Sequence, residues 1–157
     1  MFRFVRSLAA AAFLPPLALF AASLLAAQLL PAIHQPSPWP GLPLMLLEAF
    51  LYLGVGVPLY LFARRFRQPK RSAVATAGLV IGAAAPAVLF WPSNSSGDSL
   101  FGYWHGAWVQ FADAGVPTAY AWLRYAEAVV YSAVHASITL LIFVLGHSKG
   151  LASRAEI

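Results

Sequence analysis

Four long apolar runs, at residues 8–30, 42–63, 72–92 and 120–146, alternate with short polar breaks along the chain. At a rise of 1.5 Å per residue, each run can cross the roughly 30 Å hydrocarbon core of a bilayer as an α-helix. The pattern predicts an all-α integral membrane protein with four transmembrane helices, forming a single membrane domain over residues 1–157. Little of the chain remains for any domain outside the membrane.

The breaks carry their own signals. Arg3 and Arg6 precede the first run, as in a secretory signal peptide. A signal's apolar region spans only about 7–15 residues and ends at a small-x-small cleavage site. This run is longer and lacks a clear site of that kind, so a retained helix is expected. Pro15 and Pro16 fall in its middle and predict a kink. Pro31, Pro36, Pro38, Pro40 and Pro43, with Trp39, make the first connection a stiff, extended one. Arg64, Arg65, Arg67, Lys70 and Arg71 form a cationic turn between the second and third runs.

The loop at 93–118 is the longest. On a helical wheel Phe101, Trp104, Trp108, Phe111 and Ala112 share one face, with Gly106, Gln110 and Asp113 opposite. That arrangement predicts a short amphipathic helix at about 100–113 lying on the membrane surface, with Trp104, His105 and Trp108 at the interface and an end at Gly115 and Pro117.

Cationic residues set the expected orientation. Arg3, Arg6, Arg64, Arg65, Arg67, Lys70, Arg71, Lys149 and Arg154 fall on one side, and Arg124 alone on the other. The positive-inside rule makes the first side cytoplasmic, so both termini are expected inside. All five tryptophans fall on the opposite side, as an aromatic belt.

Composition adds exclusions. The chain is 61% hydrophobic and 10% charged, with a mean hydropathy of +0.72, whereas soluble domains carry roughly a quarter charged residues. The absence of cysteine rules out disulfides, thiol nucleophiles and thiolate metal sites within the chain. A net charge of +5 might suggest nucleic acid, but the basic residues flank the apolar runs and build no basic domain, so no nucleic-acid partner is expected. Alanine-rich spans and short loops suggest a bacterial inner membrane. Asn94-Ser95-Ser96 would be a glycosylation acceptor only in a eukaryotic secretory setting.

Candidate chemistry lies in two stripes at four-residue spacing: Glu127, Tyr131, His135 and Thr139 in the fourth run, and Glu48, Tyr52, Gly56 and Tyr60 in the second. Such spacing keeps each stripe on one helix face. Ionisable side chains inside spans are costly, which singles out Glu48 and His135 as the deepest. The alternative is structural: a protonated Glu bonded to a tyrosine, or a His bonded to backbone, can simply hold helices together. For Glu127 an (i, i+3) ion pair with Arg124 is the expected explanation. His105 could meet Glu127 or His34, but no paired-ligand spacing supports a metal site, so no metal, cofactor or catalytic residue is assigned. The third run holds Gly78 and Gly82 with Pro86 on the same face, a small-residue stripe suited to close helix packing.

The leading functional expectation is a non-enzymatic protein that acts by helix association, as an accessory subunit of a membrane complex or an immunity-type protein against a membrane-active toxin. A membrane-protein partner or a second copy would then sit beside it in the lipid bilayer. A proton- or cation-coupled transporter using Glu48 and His135 is the alternative, followed by a membrane enzyme with its site beneath the 100–113 segment.

The orientation is testable by cysteine labelling in intact cells. An impermeant thiol reagent should modify cysteine at position 96 and spare position 67, and the reverse pattern overturns the assignment.

Overall fold

In a computed structural model, residues 2–29, 42–66, 69–93 and 97–152 are described. The proline-rich connection with His34 and Trp39, along with Arg67, Asn94 to Ser96 and Arg154, lies outside the described residues. Four helices form: α1 (Phe2–Leu29), α2 (Leu42–Phe66), α3 (Arg71–Leu89) and α4 (Ala119–Ala152). All four are long and apolar enough to cross a membrane.

Alanine and leucine dominate these segments, and both lose little freedom in a helix. Pro15 and Pro16 are both buried inside α1, which runs through them without a break. Arg64 and Arg65 occupy the last turn of α2, where cations complement the helix dipole. α3 closes on itself through Phe90 N–H donating to the Pro86 carbonyl at 3.0 Å. One more of its terminal carbonyls, that of Ala87, accepts the Tyr125 hydroxyl at 3.2 Å. Thr118 starts α4, its carbonyl accepting the Ala121 N–H at 3.1 Å.

α4 is the axis of the bundle: it packs on α1, on α2 and, most extensively, on α3. The α3–α4 seam is built from small residues. Val74, Gly78, Gly82 and Pro86 are the buried positions of α3. A Cβ added at Gly78 would lie 2.5 Å from the Ser137 Cα, and one at Gly82 would lie 2.2 Å from the Ser132 carbonyl oxygen. The stripe that the sequence marks for association is thus covered by the chain's own fourth helix.

Packing is graded along the bundle. Ala11, Ala12, Leu53, Val57, Val74, Leu140, Phe143 and Val144 form a closed core in the half near the cationic turn. There Phe143 stacks on His147 at 5.7 Å, and Arg64 Nη1 donates to His147 Nε2 at 2.9 Å. At the other end the bundle is covered by a sheet.

That sheet corrects the expected interfacial helix. Residues 100–113 fold as antiparallel strands β1 (Leu100–Trp104) and β2 (Ala107–Asp113), followed by β3 (Val116–Pro117) in the order β1-β2-β3. Two turns decide this. His105 and Gly106 have φ of 48° and 82°, and Ala114 and Gly115 have 46° and 82°. Consecutive positive φ values are those of the type I′ turn, whose twist matches a two-residue hairpin. Aromatic and β-branched residues, here Phe101, Tyr103, Trp104, Trp108, Val109 and Phe111, favour strands over an exposed helix. The predicted apolar face is consequently split. Tyr103 pairs with Trp108, their rings 5.0 Å apart on the outer face, while Trp104 and Phe111 turn inward to line a cavity. An irregularity between Leu100 and Phe101 sets Leu100 against Ala112 and Phe101 against Gln110. It lets Phe111 and its neighbour Ala112 both face inward.

The sheet is tied to the bundle by hydrogen bonds. Thr118 donates its N–H to the Phe111 carbonyl at 2.9 Å and its hydroxyl to the Gln110 carbonyl. Ser99 donates to Asp113 at 3.2 Å and accepts from the Ala114 N–H at 3.2 Å.

Glycine substitutions test the seam. Gly82→Ala should lower the thermal stability of the detergent-solubilised protein by about 1–3 kcal/mol, because backbone stands where the methyl would go. Gly54→Ala has nothing within 4 Å of the new carbon and should be neutral or slightly stabilising through helix propensity. Equal effects at both positions would contradict the packing.

Candidate functional site: a sheet-capped cavity with two carboxylates

Beneath the sheet lies a cavity of about 580 Å³. Its walls are the first half of α2, the Phe90–Ser93 segment that follows α3 and the first half of α4, with the inner face of the sheet as roof. Leu44, Leu47 and Leu51, with Phe90, Trp91 and Phe111, make it mainly apolar. Its polar groups include Glu48, Arg124, Glu127, Tyr125, Tyr131 and the serines Ser93 and Ser132.

The two stripes seen in the sequence do meet here. Glu48 Oε2 lies 3.3 Å from His135 Nδ1 and accepts the Tyr52 hydroxyl at 3.4 Å. An ionised Glu48 takes Nδ1–H as donor, which fixes the His135 tautomer. The Tyr52 ring stands edge-on to His135 at 5.4 Å, and the Tyr131 ring lies 5.8 Å away on its other flank. His135 and Thr139 are wholly enclosed, and His135 Nε2 and Thr139 Oγ1 have no hydrogen-bond partner among the described residues. Gly56 and Tyr60 lie further down α2 and serve packing: Gly56 abuts Leu140, and the Tyr60 ring meets Phe143 at 6.0 Å.

Nearer the sheet, Glu127 is held by the hairpin tip. Trp104 Nε1–H donates to its Oε2 at 2.9 Å, and His105 Nε2 lies 3.2 Å from the same oxygen. The ion pair with Arg124 expected from the sequence is not formed. Arg124 instead places its guanidinium over the Phe111 ring, 5.0 Å from the centroid. Competition explains the exchange: the hairpin brings an indole donor and an imidazole to the carboxylate, while a neighbouring aromatic face takes the cation. Trp108, grouped with Trp104 and His105 in the sequence, points to the outer face and takes no part.

Among the described residues, every hydrogen bond to Glu48 and Glu127 ends on Oε2. Each carboxylate therefore retains a second oxygen for other partners. No group of three His, Asp or Glu side chains gathers among the described residues, although His105 and Glu127 do touch. Gly78, Gly82 and Pro86 stand apart from the cavity, in the α3–α4 seam.

Sequence reasoning missed the aromatic part of the site. Trp91 packs edge-on against Trp122 at 5.2 Å and Tyr125 at 5.6 Å, and Phe111 holds Arg124. Two dipeptides nine residues apart, His105-Gly106 and Ala114-Gly115, were the available signal, since X-Gly between aromatic runs marks a hairpin. Comparison with protein-family models, curated proteins and solved structures yields no match.

The Glu48–His135 contact is open to a double-mutant cycle. Glu48→Leu and His135→Leu should couple by about 0.5–3 kcal/mol in unfolding measurements, because each change alone strands the partner. Strictly additive effects would mean that the two side chains do not interact.

Proposed function

We propose that this protein is a small helical membrane protein that binds an amphipathic small molecule in the sheet-capped cavity. The observation that carries this reading is the cavity itself: about 580 Å³, with apolar walls and two carboxylates at different levels. Ligand sites typically enclose about 300–1,000 Å³ and combine apolar lining with a few placed polar groups.

The setting adopted for this reading is a bacterial inner membrane with both termini cytoplasmic. The cationic residues flanking the helices support it by the positive-inside rule, and they put the sheet and cavity on the outer side. Binding is preferred over conduction because an apolar cluster that includes Leu53, Val57, Leu140 and Phe143 occupies the cationic half of the bundle. Helix association has less support than before: its small-residue stripe is already used by α4. Catalysis at the cavity lacks an activated nucleophile, since the contacts of Glu127 and His105 hold the hairpin.

The test is saturable binding in lipid nanodiscs, read by the intrinsic fluorescence of Trp91 and Trp104, which line the cavity. Twelve-carbon amphiphiles are suitable probes. Ala128→Phe places a ring in the cavity and should weaken binding by roughly tenfold or more, with the fold retained. Unsaturable quenching, or equal affinity in the filled variant, would locate the response in the surrounding lipid and reject the reading.

A further inference from the structure

The ligand's chemical class follows from how charge is distributed around the cavity, if the binding reading above holds. Glu48 and Glu127 both line it, and the single lining cation, Arg124, pairs with neither. Arg124 is committed to the Phe111 face and is exposed at the rim.

The carboxylates differ in how well their partners already satisfy them. Glu127 accepts the indole N–H at 2.9 Å, a short bond near the sheet. Glu48 has only longer contacts, 3.4 Å from Tyr52 and 3.3 Å from His135. Its side chain remains 29% exposed, in a stretch of α2 where the neighbouring lining residues are Leu44, Leu47 and Leu51. A carboxylate in such apolar surroundings is stabilised most by a cation that brings its own charge. Tyr131 lines the same part of the cavity and adds an aromatic face, the other feature that attracts organic cations.

We infer that the cavity selects a cationic amphiphile, a lipophilic amine or quaternary ammonium compound, with its nitrogen at Glu48 beside Tyr131 and its apolar body against Leu44, Leu47, Leu51 and Trp91. The ammonium group meets the free oxygen of Glu48, while His135 continues to hold Oε2.

Three probes of equal tail length separate the possibilities in nanodiscs of zwitterionic lipid: dodecyltrimethylammonium, dodecanol and laurate. Wild-type protein should bind the cation about tenfold more tightly than dodecanol, the increment of one charge-assisted contact. Glu48→Gln should erase that preference while dodecanol still binds saturably, which also shows that the variant is folded. Glu48→Asp, which keeps the charge, should retain part of it.

Equal affinity for cation and alcohol in wild type overturns the inference without any variant, while leaving the binding reading intact. Preference for laurate overturns it in favour of an anion at Arg124. A cation preference that survives in Glu48→Gln removes Glu48 from the role. Saturable binding of none of the three rejects both this inference and the binding reading.

Discussion

The close approach of α3 to α4 at Gly78 and Gly82 is the contact on which the remaining architecture depends. Backbone of α4 occupies the space that side chains would take, with Ser137 and Ser132 directly opposite. In a bilayer, helices gain little by hiding apolar surface from lipid, so close van der Waals fit has to supply the association. A seam of glycines provides that fit at two consecutive turns and fixes both the spacing and the axial register of the pair. Once α3 is set against α4, the exit at Phe90 and the re-entry at Thr118 stand near one another. The intervening residues must return over the end of the bundle, and a compact hairpin meets that requirement.

The gradation of packing along the bundle then determines where chemistry can occur. Small and aliphatic side chains near the cationic turn pack with Phe143 into the buried core. Toward the sheet, α2 and α4 line a mainly apolar cavity with a few polar side chains, Glu48, Glu127 and Tyr131 among them. Glu48 and His135 mark the boundary between these regimes. Each is tolerable there because the other supplies a hydrogen-bonding partner, and Tyr52 adds a second donor. Tight packing and the cavity thus lie at opposite ends of the same helices.

The roof is held by a small number of polar contacts of high value. Glu127 receives two donor-capable groups from the hairpin tip, and Thr118 receives the sheet at the start of α4. Arg124 over Phe111 adds a further link between α4 and the roof. Fixing the roof in this way gives the cavity a defined shape and keeps Trp104 and Phe111 inside it.

The helices were legible in the chain because crossing a bilayer demands long apolar runs, and no tertiary detail is needed to see them. The stripes of Glu48 with Tyr52 and of Glu127 with His135 were legible for a similar reason, since four-residue spacing alone puts each set on one face. Their meeting across α2 and α4 was an expectation that only the packed bundle could supply with distances. The Gly78 and Gly82 face announced close packing, yet whether its occupant was α4 or another molecule depended on the rotation of α3, which helical periodicity does not encode. The segment at 100–113 was misread because aromatic residues spaced by three and four satisfy a helical wheel as readily as they interrupt a strand. Local backbone preference at His105-Gly106 and Ala114-Gly115 broke the tie. Glu127 went to Trp104 and His105 instead of Arg124 for the corresponding reason. Sequence neighbours compete with groups that folding brings from elsewhere, and the outcome rests on a geometry that exists only after the chain has closed on itself.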